Sequence, residues 1–577
     1  MRVDYLCPRV TKIGDGMGPM VASSSGRLAI ARRVKGRRAA VVALLASATL
    51  VATAIADEES QRNLLNLFPD GSGKLQTLSP ASSNAHGAFF ASSLGTNGQA
   101  CVTCHQPSQG ISINVAAIDQ AFVTSKGLDP LFRPSDTADR PDADISSLTA
   151  RKKAYRLFLD MGLVRIGKTF KGNSDPDNPA ATQSDFRVEH QDTPEFGPLP
   201  IVKDPQHPGV PSLALFRRPL VNSNVSFDSA VLWDGRDRID SLATSQVPKA
   251  IQSLLLGPGS DKDANQQIAD FMTATFTDQI VDGRAGDLSA AGASGGVKSL
   301  QQMASDPARP CLYATAFPQI PGLPQPAKPT LTPFSPTTCT RVEATDPHTF
   351  GFDLFAAWAN LPKTIDPRLA AARAAIARGE VLFNTVALHQ PADLDGKLLD
   401  VASTANGGAD ADHPDRIPAG QPIHCATCHA TRNLGNNPNP NFIGRIGTDS
   451  IEILEQLAAT RKAQDPLVDN VLRKVKKLPL YCLRPNSDPA SFESAACGTH
   501  SGDIKTTDPG RAMVTGLIAD AGKFKPPILR DLSARLPLFH AGTAATILDL
   551  IDFYDARFQI NLTKQQKADL AEFLAAL

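Results

Sequence analysis

Two pentapeptides bring sulfur and imidazole together at a spacing suited to chemistry: Cys101-Val102-Thr103-Cys104-His105 and Cys425-Ala426-Thr427-Cys428-His429. Each reads C-x-x-C-H, the attachment signature of a c-type haem. Cysteines three positions apart lie on one side of a helical turn. There each can form a thioether to a vinyl edge of the porphyrin. The adjacent histidine then reaches the iron as a proximal axial ligand. A thioredoxin-like dithiol and half of a zinc site also use C-x-x-C. Neither demands the trailing histidine, and here it occurs twice. The sequence therefore predicts two covalently attached haem c groups. Cys101, Cys104, Cys425 and Cys428 are the expected anchors, and His105 and His429 the iron ligands.

The chain that must position these groups has 577 residues, 58 basic and 58 acidic. By length it divides into about three to four average domains. The balanced charge gives no signal for nucleic acid. Proline (45) and glycine (41) are abundant, which suggests long ordered loops. Near the amino terminus, Arg32, Arg33, Lys35, Arg37 and Arg38 precede an uncharged apolar run, Ala39 to Ala56, ending in Ala54-Ile55-Ala56. This predicts a signal segment at 1–56, cleaved on export to the periplasm. A retained anchor is the alternative, at the short limit for a span. No apolar stretch of spanning length follows residue 57, so the mature form is not expected to span a membrane.

Of nine cysteines, four are assigned to haem and Cys7 leaves with the signal. The other four in an oxidising compartment read as disulfides. Cys311–Cys339 with Cys482–Cys497 is the simplest of three pairings. The expected organisation is an N-terminal haem domain at 57–283, a Pro/Gly-rich inter-domain excursion at 284–348, and a C-terminal haem domain at 349–577 with an insertion at 385–420. Helices are predicted over Glu58 to Phe68, Ile365 to Phe383 and Ile451 to Arg461. Thr563 and Gln566 form a capping box for a closing helix, with Leu570, Phe573, Leu574 and Leu577 on one face. The fold class expected is mainly α: two cytochrome c-like haem domains with long irregular loops and insertions.

Further strings accompany the two motifs in a fixed order. Gly95-Thr96-Asn97-Gly98 leads into the first. Arg218-Pro219 and Trp233-Asp234-Gly235-Arg236 follow it, and Arg378-Gly379-Glu380 precedes the second. Gly522-Lys523-Phe524-Lys525-Pro526-Pro527-Ile528-Leu529-Arg530 then runs on to Leu538-Phe539-His540-Ala541-Gly542 and Asp552-Phe553-Tyr554. Over roughly residues 86 to 577 the chain resembles the bacterial di-haem cytochrome c peroxidase superfamily. That group includes the methylamine dehydrogenase maturation enzyme and, more distantly, the rubber oxygenases.

The resemblance implies a peroxidatic first haem, open opposite His105, and an electron-transfer second haem with both axial positions filled. It implies that Trp233 lies between the haems and that His540 lies near haem edges. It makes Tyr554 the candidate sixth ligand of the second haem, at a position where the classical peroxidases have methionine and the maturation enzymes tyrosine. A phenolate would favour ferric iron. Gln246 matches the family's distal glutamine, but the stretch from Ala250 to Pro258 lacks the expected glutamate. Asp261 or Asp263 is left as a substitute. The distal histidine of enzymes that need reductive activation is absent too, since position 121 is Ala. Calcium often sits between the domains of this group. Here Arg217 or Arg218 replaces its asparagine, so calcium has only weak support.

The leading expectation is periplasmic reduction of hydrogen peroxide, with electrons from a small cytochrome c or cupredoxin. One alternative is peroxide- or oxygen-dependent oxidation of a protein side chain or organic substrate. Another is a non-enzymatic di-haem electron carrier.

Overall fold

The computed structural model describes residues 67–79, 85–169, 184–190, 202–203, 211–228, 230–305, 351–389, 424–429, 431–437, 443–460, 466–486, 497–498 and 502–577. The signal segment, Cys311, Cys339 and most of the 385–420 insertion lie outside them. Residues Arg62–Leu577 group as one compact unit.

The mainly α expectation is not met. Helix takes up 44% of the described residues and strand 14%, and no clear mainly α cytochrome fold is evident. Four small antiparallel sheets are present among the described residues. One has the order Leu67–Pro69, Gly73–Leu78, Phe276–Asp282, Gly286–Asp287. A second joins Ile504–Thr506, Tyr481–Pro485 and Phe186–His190. A third joins Val164–Thr169, Pro211–Arg217 and Val202–Lys203. The fourth is a hairpin of Ala230–Val231 and Asp237–Arg238. The strands hold two to seven residues each, too few for a two-residue periodicity to stand out in the sequence. Several pair across long separations, as Leu483 does with Val188. Leu67 and Phe68, expected at the end of a helix, are strand.

The strongest helix occupies Pro367–Thr385, against the predicted Ile365 to Phe383. Asp366 caps it by accepting from the Arg368 and Leu369 N–H groups, and Pro367 supplies a first turn that needs no donor. Its partner is the closing helix Lys564–Ala575, capped by Thr563 and Gln566 as expected. At their crossing a Cβ on Gly379 would sit 2.1 Å from the Asp569 carbonyl oxygen, so glycine sets the approach. Arg378 pairs with the Asp569 carboxylate there at 2.8 Å. Glu380 accepts from the Leu354 and Phe355 N–H groups. The Arg378-Gly379-Glu380 string is thus structural in all three residues. The resulting core gathers Phe352, Phe355, Trp358, Ile376, Phe383, Leu570 and Phe573. It also includes Ala285, Leu288 and Ala293, so this end of the expected excursion is folded in. A disulfide joins Cys482 to Cys497.

Candidate functional site

Each C-x-x-C-H forms one short helical turn, Cys101–Cys104 and Cys425–Cys428. In each, the histidine N–H donates to the first cysteine's carbonyl at 3.0 Å. The imidazoles are oriented alike. His105 Nδ1 bonds the Ile111 carbonyl at 3.2 Å, and His429 Nδ1 bonds the Gly435 carbonyl. The acceptor is six residues downstream both times. Donation from Nδ1 leaves Nε2 as the free lone pair, the tautomer a metal ligand needs. Burial pulls both histidines down to about 4, with those carbonyl bonds opposing. Both are therefore neutral at pH 7 and ready to ligate.

The cysteine chemistry argues against the rival uses of C-x-x-C. Burial pushes Cys101, Cys425 and Cys428 up to about 12. It also raises Cys104, with Asp136 adding to the effect. A dithiol redox centre needs the opposite shift. Among the described residues, neither motif brings three His, Cys, Asp or Glu donor atoms within 4.8 Å, as a zinc site requires.

A cavity opens beside the second motif, with about 1510 Å³ of space unfilled by protein atoms, part of it open to solvent. Cys425, Cys428 and His429 line it with Tyr554, Leu550, Ile551 and Phe558, and its far part reaches Trp233, His540 and Arg535. Tyr554 lies on the helix Ile547–Arg557, and burial raises its phenol above the usual range. His540 is 2% exposed and stacks on Phe524 at 3.9 Å between ring centroids. Burial pulls it down to about 4. Thr448 Oγ1 lies 3.3 Å from its Nδ1, while its Nε2 is buried without a hydrogen-bond partner. Arg535 Nε is unpartnered in the same way. Such atoms in an apolar cavity fit a large apolar ring with polar edges, since leaving each unmet costs about 1–3 kcal/mol.

Trp233 sits at the tip of the Ala230–Arg238 hairpin. Its Nε1–H donates to the Arg218 carbonyl at 2.8 Å, and its ring lies edge-on to His540 at 6.3 Å. Leu232, the preceding residue, packs in a cluster with Cys101 and Val102. The tip therefore touches the surroundings of both motifs. A buried charge network fixes it. Arg217 bridges Asp234 at 2.8 Å and Asp508 at 2.6 Å, Arg236 binds Asp234 at 2.7 Å, and Arg511 donates to the carbonyls of Asp234 and Gly235.

Gln246 is half-buried on the helical run 242–255. Leu242, Val247 and Ile251 of this run pack in the cluster that holds Cys101. It does not join the Trp233–His540–Tyr554 group. Asp261 is the exposed N-cap of the helix Lys262–Ala274, accepting from Ala264 N–H at 3.0 Å, and Asp263 is also exposed.

Sequence reasoning missed Asp136, whose buried carboxyl is pushed up to about 7 by desolvation, with Gln99 and Arg165 pulling back. It also missed the orienting carbonyls of Ile111 and Gly435, which carry no residue-type signal. A shared six-residue offset from each histidine was their one visible trace. No family model matches this chain, and no curated protein matches it.

Proposed function

We propose that this chain is an exported di-haem c-type oxidoreductase that reduces hydrogen peroxide with electrons from a small redox protein, a cytochrome c or cupredoxin. Cys101 and Cys104 would hold one haem and Cys425 and Cys428 the other, with His105 and His429 as proximal ligands. The observation that carries this reading is the Trp233 hairpin. Its tip lines the cavity of the second motif, while Leu232 packs against the same apolar cluster as Cys101 of the first. When bound, the haems supply the redox-active iron and, at the first motif, a coordination face for peroxide.

The chain's own residues do the rest. The Ile111 and Gly435 carbonyls hold the protons of His105 and His429 on Nδ1. Leu550, Ile551, Phe558 and Leu574 give the second site apolar walls. The Arg217–Asp234–Arg236 network holds Trp233 in register. No helix among the described residues is long and apolar enough to cross a membrane. A second reading, oxidation of a protein side chain or organic molecule, draws support from Tyr554 facing the cavity that both Cys425 and Cys428 line.

The test is spectroscopic, then kinetic. Covalent haem staining should give two haems per chain, lost one at a time in Cys101→Ala/Cys104→Ala and Cys425→Ala/Cys428→Ala. Cyanide should bind the ferric haem at His105 alone, and Tyr554→Phe should alter the spectrum of the haem at His429 alone. Rapid peroxide consumption with a reduced cytochrome supports the first reading, whereas poor cytochrome turnover with peroxide-driven oxidation of a partner supports the second. Two low-spin haems that both refuse cyanide would leave only an electron carrier.

A further inference from the structure

The resemblance raised calcium at the junction between the two haem regions, and the residues there do not fit it. Arg218 is 4% exposed. Its Nη1 donates to the Gly162 carbonyl at 3.0 Å, and its Nη2 donates to the carbonyls of Arg535, at 3.0 Å, and Ile113. Among the described residues no carboxylate forms an ion pair with it. Burial alone depresses a guanidinium, and here it does, with the Arg535 cation as the second cause. Three neutral main-chain oxygens from three distant segments thus converge on one buried cation. Such oxygens are what a hard metal ion collects.

The backbone around this cation is shaped to admit it. A Cβ on Gly162 (φ +63°) would sit 1.8 Å from Arg218 Nη1, and one on Gly542 (φ +59°) 3.2 Å from its Cδ. The main chain of Arg218 adds two more ties. Its N–H donates to the His540 carbonyl at 2.7 Å, and its carbonyl accepts from Trp233 Nε1. The guanidinium's donors meet these three carbonyls, and a second positive charge, Arg535, stands beside it.

We infer that Arg218 is a built-in cation: its guanidinium gathers the carbonyls of Ile113, Gly162 and Arg535 as a bound metal ion would, so this junction works without calcium. The inference does not depend on the proposed function, because it concerns the polypeptide alone. A tethered cation cannot be chelated away, and its removal should leave an oxygen cage open to a mobile one.

The experiment uses the full chain as purified. Thermal unfolding of the unaltered protein should be the same in EDTA and in millimolar CaCl2, whereas saturable stabilisation by calcium overturns the inference. Arg218→Ala should raise the unfolding equilibrium constant at least tenfold. Calcium, or low-millimolar methylguanidinium, should recover part of that loss saturably, while equal sodium should not. A destabilised Ala variant that no cation relieves means the side chain serves only as packing, and this also overturns it. Should Arg218→Ala fail to accumulate, Arg218→Lys keeps the charge with fewer donors. It should unfold at intermediate stability and respond to methylguanidinium, and indifference to both cations sinks the idea.

Discussion

Replacing Gly435 with alanine probes the part of the second site that residue types reveal least. Gly435 has φ +77°, and an added Cβ would lie 2.6 Å from Leu529 Cγ and 2.7 Å from its Cδ1. A left-handed conformation costs an L-residue roughly 1–2 kcal/mol. Forcing a methyl into packed Leu529 costs about 1–3 kcal/mol more. A stiffer unfolded chain returns about 0.4–1 kcal/mol. The net expectation is a loss of about 1–5 kcal/mol, read as a lower urea midpoint at unchanged slope. Gly87 is the control. It is exposed in the helix Ala85–Phe90 with no atom within 4 Å of an added Cβ. Gly87→Ala should be neutral or stabilising by about 0.5–1 kcal/mol. Gly435 also carries the carbonyl that orients His429, so in the proposed reading the variant should shift the spectrum of a haem held there and spare the other. A loss below about 1 kcal/mol refutes the steric argument. A full loss with both haem spectra unchanged refutes the orienting role of the carbonyl.

Arg217→Met leaves the carboxylates of Asp508 and Asp234 buried without their shared cation, and should lower stability by about 3–5 kcal/mol; an unchanged denaturation midpoint contradicts it. Asp136 is held protonated by burial, raised from 3.8 to about 7. Its neutral form stabilises the fold fully below about pH 4, and that contribution fades as pH climbs through about 7, by at most about 4 kcal/mol. Asp136→Asn should therefore gain on the parent from pH 4 to pH 8 in parallel melting curves, and a constant difference counts against the assignment. Breaking the Cys482–Cys497 disulfide, which spans a separation of 15 residues, should cost about 3 kcal/mol; the Cys482→Ser/Cys497→Ser protein should match the reduced parent in urea.

What the sequence made legible was short-range. The Pro367–Thr385 helix was visible because alanine and arginine fill it, while the Asp366 cap that fixes its start was not read. The closing helix was visible through Thr563 and Gln566, and the Cys482–Cys497 pairing through nearness in the chain. The sheets were not visible. Gly73–Leu78 finds its partner Phe276–Asp282 two hundred positions away, and no local pattern records a pairing at that range. The second site divides in the same way. Trp233, His540 and Tyr554 were named from strings, and they meet in one cavity. What holds them there was hidden. Asp508 reaches Arg217 across 291 positions, and in sequence each reads as an ordinary charged residue. Asp261, left as a candidate acid by the sequence, serves as a helix cap.

The two tryptophans show how environment separates residues that composition cannot. Trp358 is fully buried, and the Arg373 guanidinium lies over its ring at 4.9 Å. Positive charge against the ring face stabilises the neutral indole and opposes removal of an electron. Its Nε1–H ends on the Ala290 carbonyl, so it anchors the 284–305 segment to the core. Trp233 has its ring edge-on to neutral His540 and borders the cavity. Its Nε1–H also ends on a main-chain carbonyl, which cannot accept a proton outright. An electron vacancy on this indole would keep its proton and remain strongly oxidising, which suits rapid passage and not storage. In the proposed reading, Trp233 is accordingly a relay between the two sites, and the buried ion pairs around Asp234 serve to keep its position fixed while charge crosses.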